Sequence, residues 1–350
     1  MPDPLRDGLR YSRWRVSGEQ KTDMQSFTGK EREMSKKIEK TLYCITVCLL
    51  LPIFLTGSLF GKDLQASDSI TKYRNALQKL KTSQKESILI AKEEFYKSFP
   101  KNDKYAQDGF RMFSEFYDKV IQESSEQFFS NEKFAIFLSE FYEIADGTFS
   151  SPLQGFDKMD AQRKDHVRKQ YAGELEEFTR YVKCGIKISA DGEGGWYIRE
   201  DFDFLCEMLR DWPVDINKYL VFMKEESKQD VLMDGGLVIP WDDLRKRIIR
   251  FEEFARNYPA LQETKTKIQP ELKGLLYVYL AGVDNSPVFD WESQKMNPEL
   301  KSSYEIFLKE NKNSAWHSTI EKVYQIHQKH QFVHSTEADD FVNRLNLIAQ

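Results

Sequence analysis

The feature that most constrains this chain is an apolar run from Thr41 to Phe60, twenty residues without a charged side chain. It directly follows the basic segment 34–40, which carries three lysines. A positive segment before an apolar run is typical of an export signal or a membrane anchor. Because the lysines stay on the cytoplasmic side, the sequence predicts that residues 67–350 lie outside the cytoplasm.

Two interpretations of this run stay open. As a signal peptide, its core from Leu42 to Leu55 has a suitable length, since such cores span roughly 7–15 residues. Thr56 and Ser58 then provide small residues for cleavage, and Ala66 offers a later site. As an uncleaved single-pass anchor, the run would reach ~30 Å at ~1.5 Å per residue, which is about the thickness of a bilayer core.

The chain before the run fits neither interpretation well. Residues 1–33 are polar and lack hydrophobic periodicity, so they are either a disordered tail or an upstream extension ahead of a true start at Met34. A loop rich in Gly, Pro and Ser at 146–157 marks a boundary further along. The predicted organisation is a disordered or over-called segment (1–33), a signal peptide or anchor (34–66), and two helical subdomains (67–145 and 158–350).

Composition limits the classes of partner. The exported part, 67–350, has a net charge of about −8, which disfavours nucleic acid and anionic lipid as ligands.

The chain contains 25 Phe and 16 Tyr, and so many aromatic side chains predict a packed helical core rather than disorder.

Four cysteines divide into two pairs. Cys44 and Cys48 lie in the apolar run, where they act as small hydrophobic residues. Cys184 and Cys206 belong to the exported part, where conditions are oxidising and a disulfide is slightly favoured over two separate thiols. The bridge would close a loop of about 22 residues and stabilise the fold by roughly 3 kcal/mol.

Apolar residues recur every three or four positions over most of the exported part, which predicts an all-α fold, either a helical bundle or an irregular array of helix pairs. The pattern predicts one long amphipathic helix over 69–99 and another over 159–183. Aromatic stripes predict two further helices that pack into the core. The stripe residues are Phe110, Phe113, Tyr117, Val120 and Ile121, and then Phe134, Phe137, Leu138 and Phe141.

One segment, 184–199, departs from the helical pattern. Its residues alternate in polarity on both sides of a glycine-rich turn, which predicts a small β-hairpin or projecting loop. The remaining helices begin at recognisable signals. These are the Asp201 cap, Trp241-Asp242-Asp243, Pro270, the Asn297-Pro298 pair, a capping box of Ser318 and Glu321, and a Thr336 cap.

Four of the five histidines, His317, His327, His330 and His334, lie within eighteen residues. Imidazoles on one helix face are able to hold zinc. However, His327 continues the apolar stripe of its helix, and the helix is predicted to end before His334. Asp339 and Asp340 follow within six residues of His334, but no Cys completes a set of ligands. The sequence therefore predicts ordinary helix histidines and no metal site.

Acids and aromatics also gather around the hairpin, and such a group is able to bind a sugar or hydrolyse a glycosidic bond. Asp201 is better explained as a helix cap, and Trp196 as hairpin packing. The loop 230–241, with Asp234-Gly235-Gly236, lacks the alternating ligands of a calcium loop and is predicted to be a turn. The members of the hairpin group are Glu193, Trp196, Tyr197, Glu200, Asp201 and Asp203.

No nucleophile elbow, phosphate-binding loop, dinucleotide fingerprint or HExxH motif occurs, so no catalytic residue and no cofactor is assigned. The sequence favours a non-enzymatic, exported helical protein of the cell envelope that binds an unknown protein or small ligand. The loops 184–199 and 230–241 are the expected recognition surfaces, because they interrupt a regular scaffold. The alternative is an exported hydrolase acting on envelope polysaccharide or peptide. Contact with the membrane is expected only through 41–60, and only if this run is not cleaved.

Overall fold

A computed structural model describes residues 68–129, 131–144, 156, 159–190, 192 and 195–347. Within these ranges, thirteen α-helices and three two-stranded antiparallel hairpins form the fold, so the predicted all-α class with a small hairpin is confirmed. No helix in the same ranges combines the length and apolarity needed to cross a bilayer. The segments 1–33 and 34–66, with the apolar run 41–60, lie outside the described residues.

The described part of the chain consists mainly of α-helices, with three hairpins and one π-helical turn. The π-helical turn, Thr264–Ile268, leads directly into the helix Gln269–Ala281. The helices are α1 Asp68–Leu77, α2 Ser87–Ser98, α3 Ala106–Phe129, α4 Glu132–Ile144, α5 Ala161–Gln170, α6 Ala172–Lys183, α7 Phe202–Met208, α8 Ile216–Glu226, α9 Trp241–Asn257, α10 Gln269–Ala281, α11 Pro298–Glu310, α12 His317–Lys329 and α13 Thr336–Asn343. The strands are β1 Ile186–Ala190, β2 Trp196–Glu200, β3 Leu232–Met233, β4 Gly236–Leu237, β5 Gly282–Val283 and β6 Ser286–Pro287.

The prediction of one long helix over 69–99 is wrong, because α1 and α2 are separate helices joined by a turn at 78–86. The turn folds α1 back so that Tyr73 packs edge-on against Phe99, with ring centroids 5.4 Å apart. The buried Tyr73 hydroxyl donates a hydrogen bond to the Ala91 carbonyl at 3.1 Å. The free energy gained by burying this aromatic ring offsets the helical hydrogen bonds lost at the break.

The aromatic stripes behave as predicted, since Phe110, Phe113 and Phe137 are all fully buried. The helix predicted over 159–183 is interrupted at Tyr171, whose φ of −129° and ψ of 35° separate α5 from α6. At this break the Tyr171 hydroxyl donates a hydrogen bond to the Glu140 carboxylate of α4. That prediction of a continuous helix is therefore wrong.

Contacts link the early helices to the later ones. The Trp212 indole donates to the Phe99 carbonyl at 3.2 Å, and Arg111 of α3 pairs with Glu263 at 2.9 Å. The proposed division into the subdomains 67–145 and 158–350 stays a prediction.

The predicted bridge between Cys184 and Cys206 is not formed, and both side chains are free thiols. Cys184 is buried just after α6, where burial and then the charge of Glu86 raise the pKa of its thiol to about 11. Cys206 is half-buried on α7, where burial raises the pKa of its thiol and the charges that act on it, led by Lys224, are not those that act on Cys184. The two thiols therefore occupy separate surroundings.

Several predicted helix starts are confirmed. Asn297 caps α11 by accepting hydrogen bonds from the next backbone N–H groups, and Pro270 lies in the first turn of α10. The capping box at Ser318 is wrong, because α12 already begins at His317 after Trp316. The predicted Thr336 cap is also wrong, because α13 begins at Thr336 itself and Ser335 occupies the cap position.

Candidate functional site

The β1–β2 hairpin is held at its base by one buried tyrosine of α3. The Tyr117 hydroxyl donates to the Gly185 carbonyl and accepts a hydrogen bond from the Asp201 backbone N–H at 3.0 Å. Gly185 ends α6 with a φ of 77°, a conformation that glycine adopts without strain. Inward-facing Ile188 and Ile198 pair across the strands and are buried. The hairpin predicted over 184–199 is thus a rigid part of the core.

The loop 230–241 contains a second hairpin, β3–β4, that the sequence showed only as a turn. Met233 pairs with Gly236, and the two residues between them, Asp234 and Gly235, have φ angles of 50° and 61°. Two positive φ angles define a type I′ turn, which Asp-Gly strongly favours. This local signal was present in the sequence, but the strands are too short to show alternation.

The third hairpin, β5–β6, was not predicted. It follows α10 directly, and Gly282 forms its first strand position with a φ of 75°. A Cβ at Gly282 would lie 2.8 Å from the Val288 nitrogen, so the chain requires glycine here. The turn pair Asp284-Asn285 between two short strands was the available sequence signal.

The turns of the three hairpins contact one another. A Cβ on Gly192, in the β1–β2 turn, would lie 2.3 Å from the Met233 Cγ, so these turns are in close contact. The Asn285 backbone N–H donates to the Gly235 carbonyl at 3.0 Å, and its side-chain amide donates to the Asp234 carbonyl. The β3–β4 turn therefore lies between the other two.

A side-chain hydrogen bond adds to this connection, since the Leu237 N–H donates to the Ser286 hydroxyl at 3.0 Å. We call the three hairpins together, 186–200, 232–237 and 282–287, the hairpin row. It joins the two predicted recognition loops to a third loop that the sequence did not indicate.

Two buried arginines make ion pairs and hydrogen bonds with the segment just before β3. Arg199 of β2 is 4% exposed and pairs with Asp230 at 2.9 Å. Arg247 of α9 donates two hydrogen bonds of 3.0 Å to the Gln229 carbonyl and pairs with Glu226 at 2.9 Å. Because both contacts fix the backbone just before β3, the row is held in one position.

The outer side of the row is acidic. Asp234 and Asp284 are exposed at neighbouring turns, and among the described residues neither carboxylate has an ion-pair partner. Val238 follows β4 with 46% of its surface exposed. The row and the residue after β4 therefore offer two carboxylates and a small apolar contact to a partner.

The structure does not bring the acids near the hairpin together around Trp196. Asp201 caps α7 by accepting from the Asp203 N–H at 2.9 Å, and burial raises the pKa of Asp201. Asp203 is exposed and pairs with Lys224 at 2.6 Å.

Glu200 lies four residues beyond Trp196 on β2, which places it about 13 Å away at ~3.3 Å per residue. Trp196 is half-buried and its indole donates to the Ser139 hydroxyl at 3.4 Å. Tyr197 lies half-buried with its ring 6.0 Å from the Arg199 guanidinium. The predicted packing role of Trp196 is confirmed, and Glu193 lies outside the described residues.

The histidines have separate partners. His330 contacts Glu337 at 2.8 Å, and His334 contacts Asp339 at 2.9 Å. Hydrogen bonds from His330 and from Lys329 lower the pKa of Glu337 to about 2. Helix α12 ends at Lys329, before His334 as predicted.

His317 has a backbone partner, the Leu308 carbonyl at 3.2 Å. Asp340, the second acid near the histidines, is exposed. No three His, Cys, Asp or Glu side chains within the described ranges are arranged to hold a metal ion.

His327 is buried on the apolar stripe, as predicted. It is 1% exposed and lies between the rings of Phe289 and Tyr304, whose centroids are 5.3 Å and 6.3 Å away. Neither ring nitrogen has a hydrogen-bond partner within the described part of the chain. Burial in these apolar surroundings lowers the pKa of His327 to about 4.

A cavity of about 470 Å³ lies away from all these residues, between α9, α10 and the turn before α12. Its lining includes none of the predicted site residues. No family model matches the chain, and no curated protein or solved structure is significantly similar to it.

Proposed function

We propose that the chain is an exported, non-enzymatic helical protein of a cell envelope that binds another protein through the hairpin row. The observation that carries this proposal is the connection among three hairpin turns that are far apart in sequence. Loops that are ordered on a helical scaffold and linked by hydrogen bonds form a preorganised surface, which lowers the entropic cost of binding.

The export part of the proposal rests on the sequence. The basic segment 34–40 and the apolar run 41–60 direct residues 67–350 across a membrane in either interpretation, as a signal peptide or as an anchor. The hairpin row belongs wholly to the part that crosses.

The chemistry of the turns indicates the kind of partner. Exposed carboxylates at Asp234 and Asp284 favour a partner with a basic contact surface, because complementary charge increases the association rate and orients the complex. The negative charge of the exported part disfavours nucleic acid in the same place.

Site-specific crosslinking in cells tests the proposal. A photoreactive residue at exposed Val238, next to β4, is expected to give a discrete protein adduct, whereas the same residue at exposed Lys309 on α11 is expected to give none. Charge reversal at Asp284 to Lys, combined with Asp234→Asn, in the Val238 protein should remove the adduct and leave the melting temperature unchanged, because Asp284 is exposed and asparagine also tolerates the positive φ of residue 234.

The matched position Lys309 controls for surface collisions, since it is exposed and lies on a regular helix. An adduct of the same size from Lys309, or one that persists after charge reversal, would contradict recognition by the hairpin row.

A further inference from the structure

One side of the cavity of about 470 Å³ between α9 and α10 is the turn before α12, and hydrogen bonds fix this turn. Glu252 of α9 accepts the Ser314 hydroxyl with one carboxylate oxygen and the Ala315 backbone N–H with the other, each at 2.6 Å. These two bonds hold the turn before α12 in place. The cavity is therefore preformed, and its volume lies in the range of small-molecule sites.

The lining combines apolar side chains with one aromatic side chain. Ala255 of α9 and Leu272 of α10 form apolar lining, and half-buried Trp316 lines the side next to α12. Within the described part of the chain, the Trp316 indole N–H has no hydrogen-bond acceptor. The lining thus offers a ring for stacking and an unused donor.

The charged groups of the cavity that remain available are cationic. Lys273 is exposed and has no ion-pair partner among the described residues. The carboxylate nearest to Arg256 belongs to Glu253 at 3.8 Å, which is beyond hydrogen-bond distance. Both oxygens of Glu252, the acid in the lining, already accept hydrogen bonds.

The N–H groups at the start of α12 have partners within the protein. The His317 N–H donates to the Ser314 carbonyl at 3.1 Å, and the Trp316 N–H donates to the Ser314 hydroxyl at 3.1 Å. The positive charge of the lining therefore comes from Lys273 and Arg256, which outnumber the one lining carboxylate, Glu252, in a chain whose net charge is −5.

We infer that this cavity binds a small organic anion with an apolar ring or chain, such as an aryl carboxylate. The carboxylate contacts Lys273 and Arg256, and the ring packs against Trp316 and Leu272. This ligand site shares no lining residue with the hairpin row and goes beyond the proposed protein contact.

Titration of the full chain with phenylacetate tests the inference. The chain contains six tryptophans, and the Trp316 indole N–H signal is assigned by its loss in Trp316→Phe. We expect that signal to shift saturably with a Kd in the millimolar range, which is typical of a ligand with few atoms. Phenylacetamide, which has the same ring without the charge, is expected to bind about fivefold more weakly.

Two exposed positions separate the role of charge from nonspecific effects. Lys273→Ala is expected to weaken phenylacetate binding about fivefold, whereas Lys309→Ala, on an exposed lysine outside the cavity, should leave it unchanged. Ala315→Leu, which narrows the cavity at an exposed turn position, should abolish the shift. The inference is overturned by the absence of a saturable shift, by equal binding of the amide, or by unchanged affinity in Lys273→Ala.

Discussion

Replacement of His327 by Leu should make the protein less sensitive to acid. The imidazole is buried between Phe289 and Tyr304, and its two nitrogens have no partner within the described residues. Its pKa in the folded state is about 4, against an ordinary value of 6.5. The unfolded chain therefore takes up a proton at higher pH than the folded protein does.

The size of the effect follows from this difference in pKa. Above pH 6.5 His327 is neutral in both states and contributes no pH dependence. As the pH falls from 6.5 towards 4, protonation of the unfolded chain lowers the free energy of unfolding by about 1.4 kcal/mol per pH unit. Between pH 6.5 and 4.5 the loss is about 2 kcal/mol.

Urea unfolding at pH 7 and pH 4.5 measures this term. His327→Leu should differ from the wild-type protein by less than about 1.5 kcal/mol at pH 7, because an apolar side chain replaces unsatisfied polar atoms. At pH 4.5 the variant should be more stable by roughly 2–3 kcal/mol relative to that baseline. Ile326→Leu, at the neighbouring buried position of α12, serves as the control and should keep the pH dependence of the wild-type protein. The same pH dependence in the wild-type and His327→Leu proteins would refute the reasoning.

Three further predictions concern the scaffold and the histidines. Glu226→Ala should lower the free energy of unfolding by about 3 kcal/mol, because it leaves the buried Arg247 without its carboxylate. The control Glu225→Ala, at an exposed position, should lower it by less than about 1 kcal/mol, and equal losses in urea unfolding would contradict this prediction. Residues 67–350 alone should give a far-ultraviolet circular dichroism spectrum with helix content well above the ~30–35% typical of soluble proteins, and a sheet-dominated spectrum would defeat the fold assignment. Calorimetry should show no stoichiometric zinc uptake by the chelator-stripped protein, and a one-to-one isotherm lost after replacement of His327, His330 and His334 by Ala would overturn the prediction.

The sequence predicted the helical class well because hydrophobic periodicity reports directly which face is buried. It failed where a tertiary contact interrupts a periodic pattern. Tyr73 packs back on Phe99 only because the chain turns at 78–86, and periodicity on both sides of that turn concealed the break. Tyr171 likewise stops a helix where its hydroxyl reaches Glu140.

The hairpin row was only partly predictable for a related reason. The β1–β2 strands are five residues long and show alternation, whereas β3–β4 and β5–β6 have two residues per strand and show only their turn signals. The contact of Asn285 with Gly235 joins segments fifty residues apart, and such pairing leaves no local pattern. The cavity next to Trp316 was missed because its lining comes from three separate segments.

Export of the folded part is the claim on which the proposed role of the hairpin row depends. A reporter active only outside the cytoplasm, fused after Pro100 in the exposed turn beyond α2, tests it most directly. We expect reporter activity from this fusion and none from the same fusion without residues 34–60. Activity of a cytoplasmic reporter at the same junction would contradict export and, with it, the proposed function.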